Sequence, residues 1–178
     1  MRNCRVLLGM LVALAGLIPG CDKGLGPITE ETGFSGVISF KNWPPPEKVL
    51  ELRLVAFEEF PADSGSIFQT LLDMKAAIYP HITTGVAGAL QILGHKSADT
   101  VNYVFVKEGT LLKETTYNYV VVAWRYGPDY FADWSPAGVY TLTPGTFVPA
   151  SVIVRNNRMR KDVDISVDFN NLPPKPWR

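Results

Sequence analysis

Residues 115–125, with the sequence TTYNYVVVAWR, constrain the fold more than any other part of the chain. Alternate residues of a β-strand point to opposite faces of a sheet. In the second half of this segment both faces are apolar, because Val121 and Ala123 oppose Val122 and Trp124. A strand of this kind is covered on both faces by other parts of the protein. The segment therefore predicts a central strand in a layered β-structure.

The strand pattern recurs along the chain. In residues 49–57 (VLELRLVAF), one side carries only apolar residues and is predicted to face the core, namely Leu50, Leu52, Leu54 and Ala56. Further strands are predicted at residues 34–41, 100–106, 138–142, 150–154 and 163–169. One helix is predicted over residues 67–74, capped by Ser64 or Ser66. Residues 79–96 fit either a long loop or a weak hairpin. The fold class is thus all-β: an antiparallel β-sandwich of about seven strands with one short helix in an insertion.

Two strand endings share a pattern. Residues 40–45 (FKNWPP) and residues 169–174 (FNNLPP) both follow the order Phe, any residue, Asn, apolar residue, Pro, Pro. Proline has no N–H group to continue a β-ladder, so each motif is predicted to end a strand and begin an extended exit. Trp43 and Leu172 are predicted to tuck under the sheet. The alternative is that the prolines form a ligand motif for a partner protein.

The N-terminus has the pattern of an export signal. Arg2 and Arg5 precede an uncharged apolar run of 13 residues, 6–18. A membrane-spanning helix needs about 17–25 apolar residues, whereas the apolar region of a signal peptide has roughly 7–15. Pro19 and Gly20 then break the helix and present an extended peptide to a peptidase.

Residues 17–21 (LIPGC) resemble a bacterial lipobox. The resemblance implies a lipoprotein signal peptide over residues 1–20, cleavage before Cys21, and lipidation of the Cys21 sulfur. It also implies a location in the cell envelope, with the membrane as a partner through the lipid; which membrane stays open. Residues 21–33 are then the lipidated cysteine and a flexible tether, and residues 34–178 a single β-sandwich domain. The alternative is cleavage after Ala15, which would release a soluble protein.

Composition excludes several classes of function. Hydrophobic residues make up 47% and charged residues 19% of the chain, which is typical of a globular protein. Loss of Arg2 and Arg5 with the signal leaves 15 basic and 17 acidic side chains. This balance does not favour nucleic acid as a partner. Cys4 would leave with the signal, so the mature body has no thiol for disulfides or metal ligation.

Three strand motifs resemble carboxypeptidase-regulatory-like or transthyretin-like sandwich domains. They are residues 36–39 (GVIS), 52–57 (LRLVAF) and 117–123 (YNYVVVA). The compact Gly-x-Tyr turn of that family is missing, since Gly109 stands well before Tyr117. The resemblance implies a fold, together with an accessory or structural role.

No catalytic residue, metal site or cofactor is predicted. The two histidines, His81 and His95, lie 14 residues apart without a zinc-binding motif around them. Phosphate-binding loops and nucleophile elbows are absent from the sequence. Carboxylates stand at Glu58, Glu59, Asp129, Asp133, Asp164 and Asp168. They are interpreted as solvated or structural groups, with calcium binding by Asp129 and Asp133 as an alternative.

The richest candidate binding segment is residues 124–140 (WRYGPDYFADWSPAGVY). Its candidate ligand-binding residues are Trp124, Tyr126, Tyr130, Phe131 and Trp134. Exposed aromatic rings near polar groups capture sugars or partner proteins. The competing and favoured interpretation is a loop that folds back as a lid on the end of the sandwich. Arg125 is expected to stack on an aromatic ring or to pair with Asp133.

Three functions remain in competition at this point. The first is a non-enzymatic envelope lipoprotein with a structural or protein-interaction role. The second is a lipoprotein that binds a glycan or small ligand through the aromatic loop, which requires at least two coplanar exposed rings beside a groove. The third is a hydrolase with two carboxylates, or with a nucleophile beside a histidine. The first is the expectation that the sequence favours.

Overall fold

Ten β-strands and one α-helix occur in the parts of the chain that the computed structural model describes, residues 31–61, 63–79, 99–107 and 110–176. The strands are β1 (Gly33–Lys41), β2 (Glu51–Phe57), β3 (Ala76–Tyr79), β4 (Thr100–Val106), β5 (Thr116–Tyr117), β6 (Tyr119–Arg125), β7 (Trp134–Val139), β8 (Val152–Ile153), β9 (Met159–Arg160) and β10 (Ile165–Asp168). The helix, α1 (Ser64–Leu72), lies between β2 and β3, and a 3-10 turn (Pro46–Lys48) precedes β2.

The strands form two facing sheets, which confirms the all-β sandwich. One sheet has the order β10-β1-β4, with β9 also paired to β1, and the other has the order β3-β2-β6-β7. Strands β5 and β8 make a separate two-stranded sheet. The described strands exceed the predicted seven because the predicted strand at 115–125 is split into β5 and β6, and because β3 and β9 were not predicted. Most pairs are antiparallel, but β1 pairs in parallel with β9 and β10.

The main core lies between the two sheets. Leu52, Leu54 and Ala56 of β2 face it, as their alternation predicts, and they pack with Phe34 and Ile165 of the opposite sheet. The prediction that Leu50 also faces the core is wrong, because Val49 is in the core instead and Leu50 is half-buried. The 3-10 turn ends at Lys48, so regular alternation begins only at Glu51.

A second apolar cluster covers the outer face of the β3-β2-β6-β7 sheet. Its buried members are Val55, Phe57, Ala76, Ile78, Tyr119, Val121 and Val139. Ile67 of helix α1 packs against this cluster. Because β6 carries apolar residues on both faces and lies between β2 and β7, the prediction of a central strand is confirmed. The helix thus adds a third, partial layer outside the sandwich.

The predicted strand at residues 115–125 is interrupted at Asn118. The Asn118 N–H donates to the Phe57 carbonyl (2.9 Å), and its side-chain amide donates to the Glu58 carbonyl (2.8 Å). This break turns Tyr117 into the main core, while Tyr119 points to the outer cluster. The predicted strand at 138–142 is displaced to Trp134–Val139, since the Tyr126 N–H donates to the Asp133 carbonyl (3.0 Å) and closes a β6-β7 hairpin.

Helix α1 begins earlier than the sequence predicts. Its cap is Asp63, whose carboxylate accepts from the Ser66 N–H (2.7 Å), while the Ser66 hydroxyl accepts from the Asp63 N–H (3.0 Å). This reciprocal pair is a capping box. The helix ends at Leu72, and Met74 takes a left-handed conformation (φ 55°) that cannot continue it. The N-cap is therefore Asp63, and the prediction that Ser64 or Ser66 is the N-cap is wrong.

The two shared strand endings lie side by side. Parallel pairing brings Lys41 opposite Asp168, and the Phe169 N–H then donates to the Lys41 carbonyl (3.2 Å). Trp43 stacks on Phe40 (4.6 Å between centroids) and also contacts Phe169 (5.0 Å). Trp43 and Leu172 both pack against the main core, which confirms that these residues tuck under the sheet. The two similar sequences thus occupy similar positions, since each places an apolar residue against the core at one end of the sandwich.

The start of the domain extends slightly beyond the predicted boundary at residue 34. Gly33 already belongs to β1, and the Thr32 hydroxyl accepts from the Asn157 N–H (2.9 Å). The tether that the lipobox implies would thus end near residue 31. Cys21, the signal segment 1–20, both histidines and all but Tyr79 of the ambiguous segment 79–96 lie outside the described residues.

Candidate functional site

A cavity of about 350 Å³ lies on the outer face of the β3-β2-β6-β7 sheet. Its floor is formed by side chains of β2, β3 and β6, namely Val55, Phe57, Ile78, Tyr119, Val121 and Ala123. Ile67 and Leu72 of helix α1 line it, and so do residues of the segment that joins β6 to β7. The cavity is therefore an apolar groove between the helix, the sheet and the aromatic loop.

The aromatic loop, residues 126–133, is organised by its own carboxylates. Asp129 accepts from the backbone N–H groups of Phe131 (2.8 Å) and Ala132 (3.0 Å), and these bonds hold the pKa of Asp129 below its ordinary value. Asp133 accepts from the Asp129 N–H (2.9 Å). Both carboxylates thus fix the loop backbone. No group of three or more His, Cys, Asp or Glu side chains suited to a metal ion occurs in the described part of the chain.

The five candidate aromatic residues fall into two groups. Trp124 and Tyr126 contact each other (5.6 Å between centroids), and Trp124 also meets Phe169 (5.2 Å) at the end of the sandwich where the strand endings lie. Tyr130, Phe131 and Trp134 line the cavity. All five were predicted to belong to one candidate binding segment, but the alternation of β6 places Trp124 on the inner face of its sheet.

The cavity-lining group is only partly covered. Phe131 is 67% exposed and Tyr130 is 43% exposed, while Trp134 is half-buried and its indole N–H donates to the Tyr130 carbonyl (2.7 Å). The Tyr130 ring stands nearly perpendicular to both Phe131 (85°) and Trp134 (89°). The glycan alternative requires at least two coplanar exposed rings, and the two exposed rings here, Tyr130 and Phe131, are nearly perpendicular to each other. Their geometry therefore suits an apolar ligand better than a glycan.

A buried charged cluster adjoins the cavity. Glu51, which is 4% exposed, accepts from Nε of Arg53 and from Nε of Arg125 (3.1 Å). Arg53 lines the cavity, and the Arg125 guanidinium lies 5.5 Å from the centre of the Tyr130 ring. Arg125 thus stacks on an aromatic ring, as expected, but the carboxylate it contacts is Glu51. The Glu51 carboxylate thus bridges two guanidinium groups.

Sequence reasoning missed Arg53 and Lys175 as residues of a site. Arg53 was placed on the side of β2 away from the core, where a charged side chain is ordinarily solvated. The signal against that interpretation was the apolar character of Val55 and Phe57 on the same side. Lys175 lies in the C-terminal segment and reaches the cavity only through the chain's path after β10.

Burial has a separate effect on the tyrosine at the cavity floor. Loss of solvent raises the pKa of Tyr119 well above its ordinary value, so this hydroxyl stays protonated across the physiological range. It can act as a neutral hydrogen-bond donor, since an un-ionised phenol carries one O–H. Among the described residues of β2, β3 and β6 that line the cavity, Arg53 is thus the charged one.

Three of the four remaining carboxylate candidates, Glu58, Asp164 and Asp168, have structural partners. Asp164 accepts from the Val37 N–H (2.8 Å), and Asp168 accepts from the side-chain amide of Asn42 (2.8 Å). Glu58 contacts Lys113 at 3.6 Å. These interactions tie β1 to β10 and β2 to the loop before β5, away from the cavity.

Fold and site together define a two-sheet β-sandwich that carries an apolar cavity outside one sheet. No helix in the described residues has the length and hydropathy needed to cross a membrane. Comparisons of the chain with protein-family models, with curated proteins and with solved structures found no match.

Proposed function

We propose that this protein is a non-enzymatic lipoprotein that binds a small apolar molecule at a membrane surface of the cell envelope. The observation that carries the proposal is the apolar cavity between helix α1, the outer sheet face and the aromatic loop. Its volume of about 350 Å³ is within the roughly 300–1,000 Å³ typical of small-molecule sites. Of the functions considered from the sequence, this is the ligand-binding one, with an apolar ligand in place of a glycan.

The composition of the cavity wall supports this function. Val55, Val121 and Ile78 offer aliphatic surface, and Phe131 and Trp134 offer ring faces and edges. Binding apolar surface in such a groove gains about 25 cal/mol per Å² removed from water, before the cost of association. A ligand would also cover Phe131, whose exposed ring is costly to leave in water.

The binding test uses N-phenyl-1-naphthylamine, a neutral probe that brightens in apolar surroundings. The purified protein is expected to bind it saturably, and Ala123→Phe, which fills the cavity floor, is expected to weaken binding at least about tenfold. Asn102→Phe is the matched control, because it adds the same ring to an exposed position of β4 on the other sheet. Equal binding by both variants, with unchanged circular dichroism, would refute the proposal.

The membrane location rests on Cys21 and the lipobox resemblance. At roughly 3.3 Å per residue, residues 22–31 span at most about 33 Å, which would keep the cavity close to the lipid surface. Two or more acyl chains are needed for stable anchoring. Labelling of cells with a radioactive fatty acid is expected to mark the wild-type protein and not Cys21→Ser. Absence of label from both proteins would remove the anchor from the proposal.

A structural or protein-interaction role stays a prediction. The described feature that favours it is the loop after β7, on which Leu142 is 76% and Val148 is 73% exposed. A partner protein that covered these side chains would remove their apolar surface from water. Val148→Ser is expected to leave probe binding unchanged, so the two functions can be separated by experiment.

A further inference from the structure

The charged residues that line the cavity all have the same sign. Among the described residues these are Arg53 on the floor and Lys175 in the C-terminal segment, and no aspartate or glutamate is among the described lining residues. Charge complementarity therefore favours a ligand that carries a negative group next to an apolar body.

The position of Arg53 within the sheet gives this ligand a direction. Along β2, Arg53, Val55 and Phe57 project to the same outer face, with Arg53 at one end of the row and Phe57 at the other. Four residues of strand correspond to about 13 Å. A molecule lying along this row would have its charged end at Arg53 and its apolar end over Phe57.

The neighbouring strand repeats the gradient. Ala123 is opposite Arg53, Val121 is opposite Val55, and Tyr119 is opposite Phe57. The small side chain of Ala123 leaves room beside the guanidinium, while Val121 continues the aliphatic surface. The two strands together thus form a track with a cationic end and an apolar length.

The orientation of the Arg53 side chain is fixed by a neighbouring carboxylate. Arg53 is 7% exposed, and its Nε donates to Glu51, which fixes the side chain in one orientation. A guanidinium matches the planar geometry of a carboxylate or phosphate, and an immobilised one loses little conformational entropy on binding.

From these observations we propose that the ligand is a single-chain amphiphile with an anionic head, whose head contacts Arg53 and whose chain lies between β2, β6 and the aromatic loop. Lys175 adds a second positive charge from the cavity wall. The inference rests on the proposed function, because it names the ligand class of the same cavity. Carboxylate and phosphate heads share this chemistry, and the experiment separates them.

The test compares decanoate, decyl phosphate, decanol and decyltrimethylammonium by calorimetry on the purified protein, each below its micelle concentration. Decanoate or decyl phosphate is expected to bind at least about tenfold more tightly than decanol, since a hydrogen bond to a charged group contributes that much or more. The stronger of the two identifies the head. Added salt is expected to weaken the binding of the two anions and to leave the binding of decanol unchanged.

Variants locate the head. Arg53→Met is expected to remove the preference for the anion over decanol, and Arg53→Lys is expected to retain part of it. Lys175→Met is expected to lower anion affinity about two- to fivefold by loss of one partly screened charge. Lys161→Met is its control, because Lys161 is exposed and does not line the cavity.

Each outcome decides the inference. If Arg53→Met does not fold, the comparison of wild-type ligands and the Lys175→Met variant still decide it. Equal affinity for decanoate, decyl phosphate and decanol, with saturable binding of N-phenyl-1-naphthylamine, would overturn the anionic ligand and leave the proposed function standing. If the wild-type protein binds none of these ligands and does not bind the neutral probe, both the inference and the proposed function are overturned. A dimer in solution that Ala123→Phe converts to a monomer would assign the groove to a second copy of the chain and also overturn the inference.

Discussion

Replacing Glu51 by glutamine removes the one carboxylate that contacts both Arg53 and Arg125. The substitution keeps the shape of the side chain and one carbonyl oxygen that can accept a hydrogen bond. It leaves two guanidinium groups close together, with Arg53 only 7% exposed and no longer balanced by Glu51. Glu51→Gln is therefore a test of charge compensation in this cluster with little change in packing.

The expected cost follows from burial. Removing one partner of a buried ion pair destabilises a protein by about 3–5 kcal/mol, mostly because a charge is left uncompensated. Arg125 is less buried than Arg53, and the glutamine still accepts one bond, so the lower end of the range applies. We expect a loss of about 3 kcal/mol in the free energy of unfolding. For a domain of this size that corresponds to a fall of roughly 10 °C in Tm.

The assay is equilibrium unfolding in urea, followed by near-ultraviolet circular dichroism, with thermal unfolding as a second measurement. Glu114→Gln is the control, because it removes an exposed carboxylate that contacts Lys107 at 2.8 Å. An exposed pair contributes about 0–1 kcal/mol, so this variant should be nearly neutral. If Glu51→Gln costs no more than Glu114→Gln at an unchanged m-value, the buried cluster does not stabilise the fold and the reasoning fails.

Three further predictions concern the core, an acidic group and a tyrosine. Phe105 is fully buried and contacts the Phe34 ring (5.1 Å between centroids), so Phe105→Ala is expected to cost about 3–5 kcal/mol in urea unfolding. Hydrogen bonds from the Asn42 amide and the backbone hold the pKa of Asp168 below its ordinary value. Asn42→Gly, which tolerates the local φ of 54°, should raise this pKa in an NMR titration; the associated stability is present above the ordinary carboxyl pKa and lost as pH falls through the lowered one. Burial raises the pKa of Tyr117 to about 12. The stability that the protonated phenol contributes is therefore complete below the ordinary phenol pKa of about 10 and is lost as pH rises towards 12. Alkaline unfolding followed by absorbance at 295 nm will measure this loss.

The main core was predictable from the sequence because alternation determines which side of a strand is buried. Leu52, Leu54 and Ala56 were placed correctly, and strand β4 has the predicted bounds Thr100–Val106. The parallel pairing of β1 with β10 was not predicted. It joins strands more than 100 residues apart in the sequence, and only the shared endings at 40–45 and 169–174 hinted that they lie together.

The boundaries failed where a side chain competes with the β-ladder. Asn118 directs its backbone and side-chain donors to the carbonyls of Phe57 and Glu58 at the end of β2, and this splits one predicted strand into β5 and β6. Asp63 takes the helix cap because its carboxylate reaches the Ser66 N–H, a contact that two nearby serines made ambiguous in the sequence. In both cases several hydrogen bonds are possible in the sequence, and the one that forms depends on which groups the fold brings close together.

The aromatic loop shows why the site itself was only partly predictable. Burial and exposure were treated as alternatives for the whole segment, but the turn fixed by Asp129 divides it. Trp124 remains in regular strand and joins the aromatic contacts at the end of the sandwich, whereas Phe131 is carried out over the opposite face of the sheet. Arg53 belongs to the cavity only because α1 and the aromatic loop cover the outer face of the sheet. Alternation along β2 gives the direction in which Arg53 points, and only the tertiary arrangement turns that direction into a cavity wall with a positive charge.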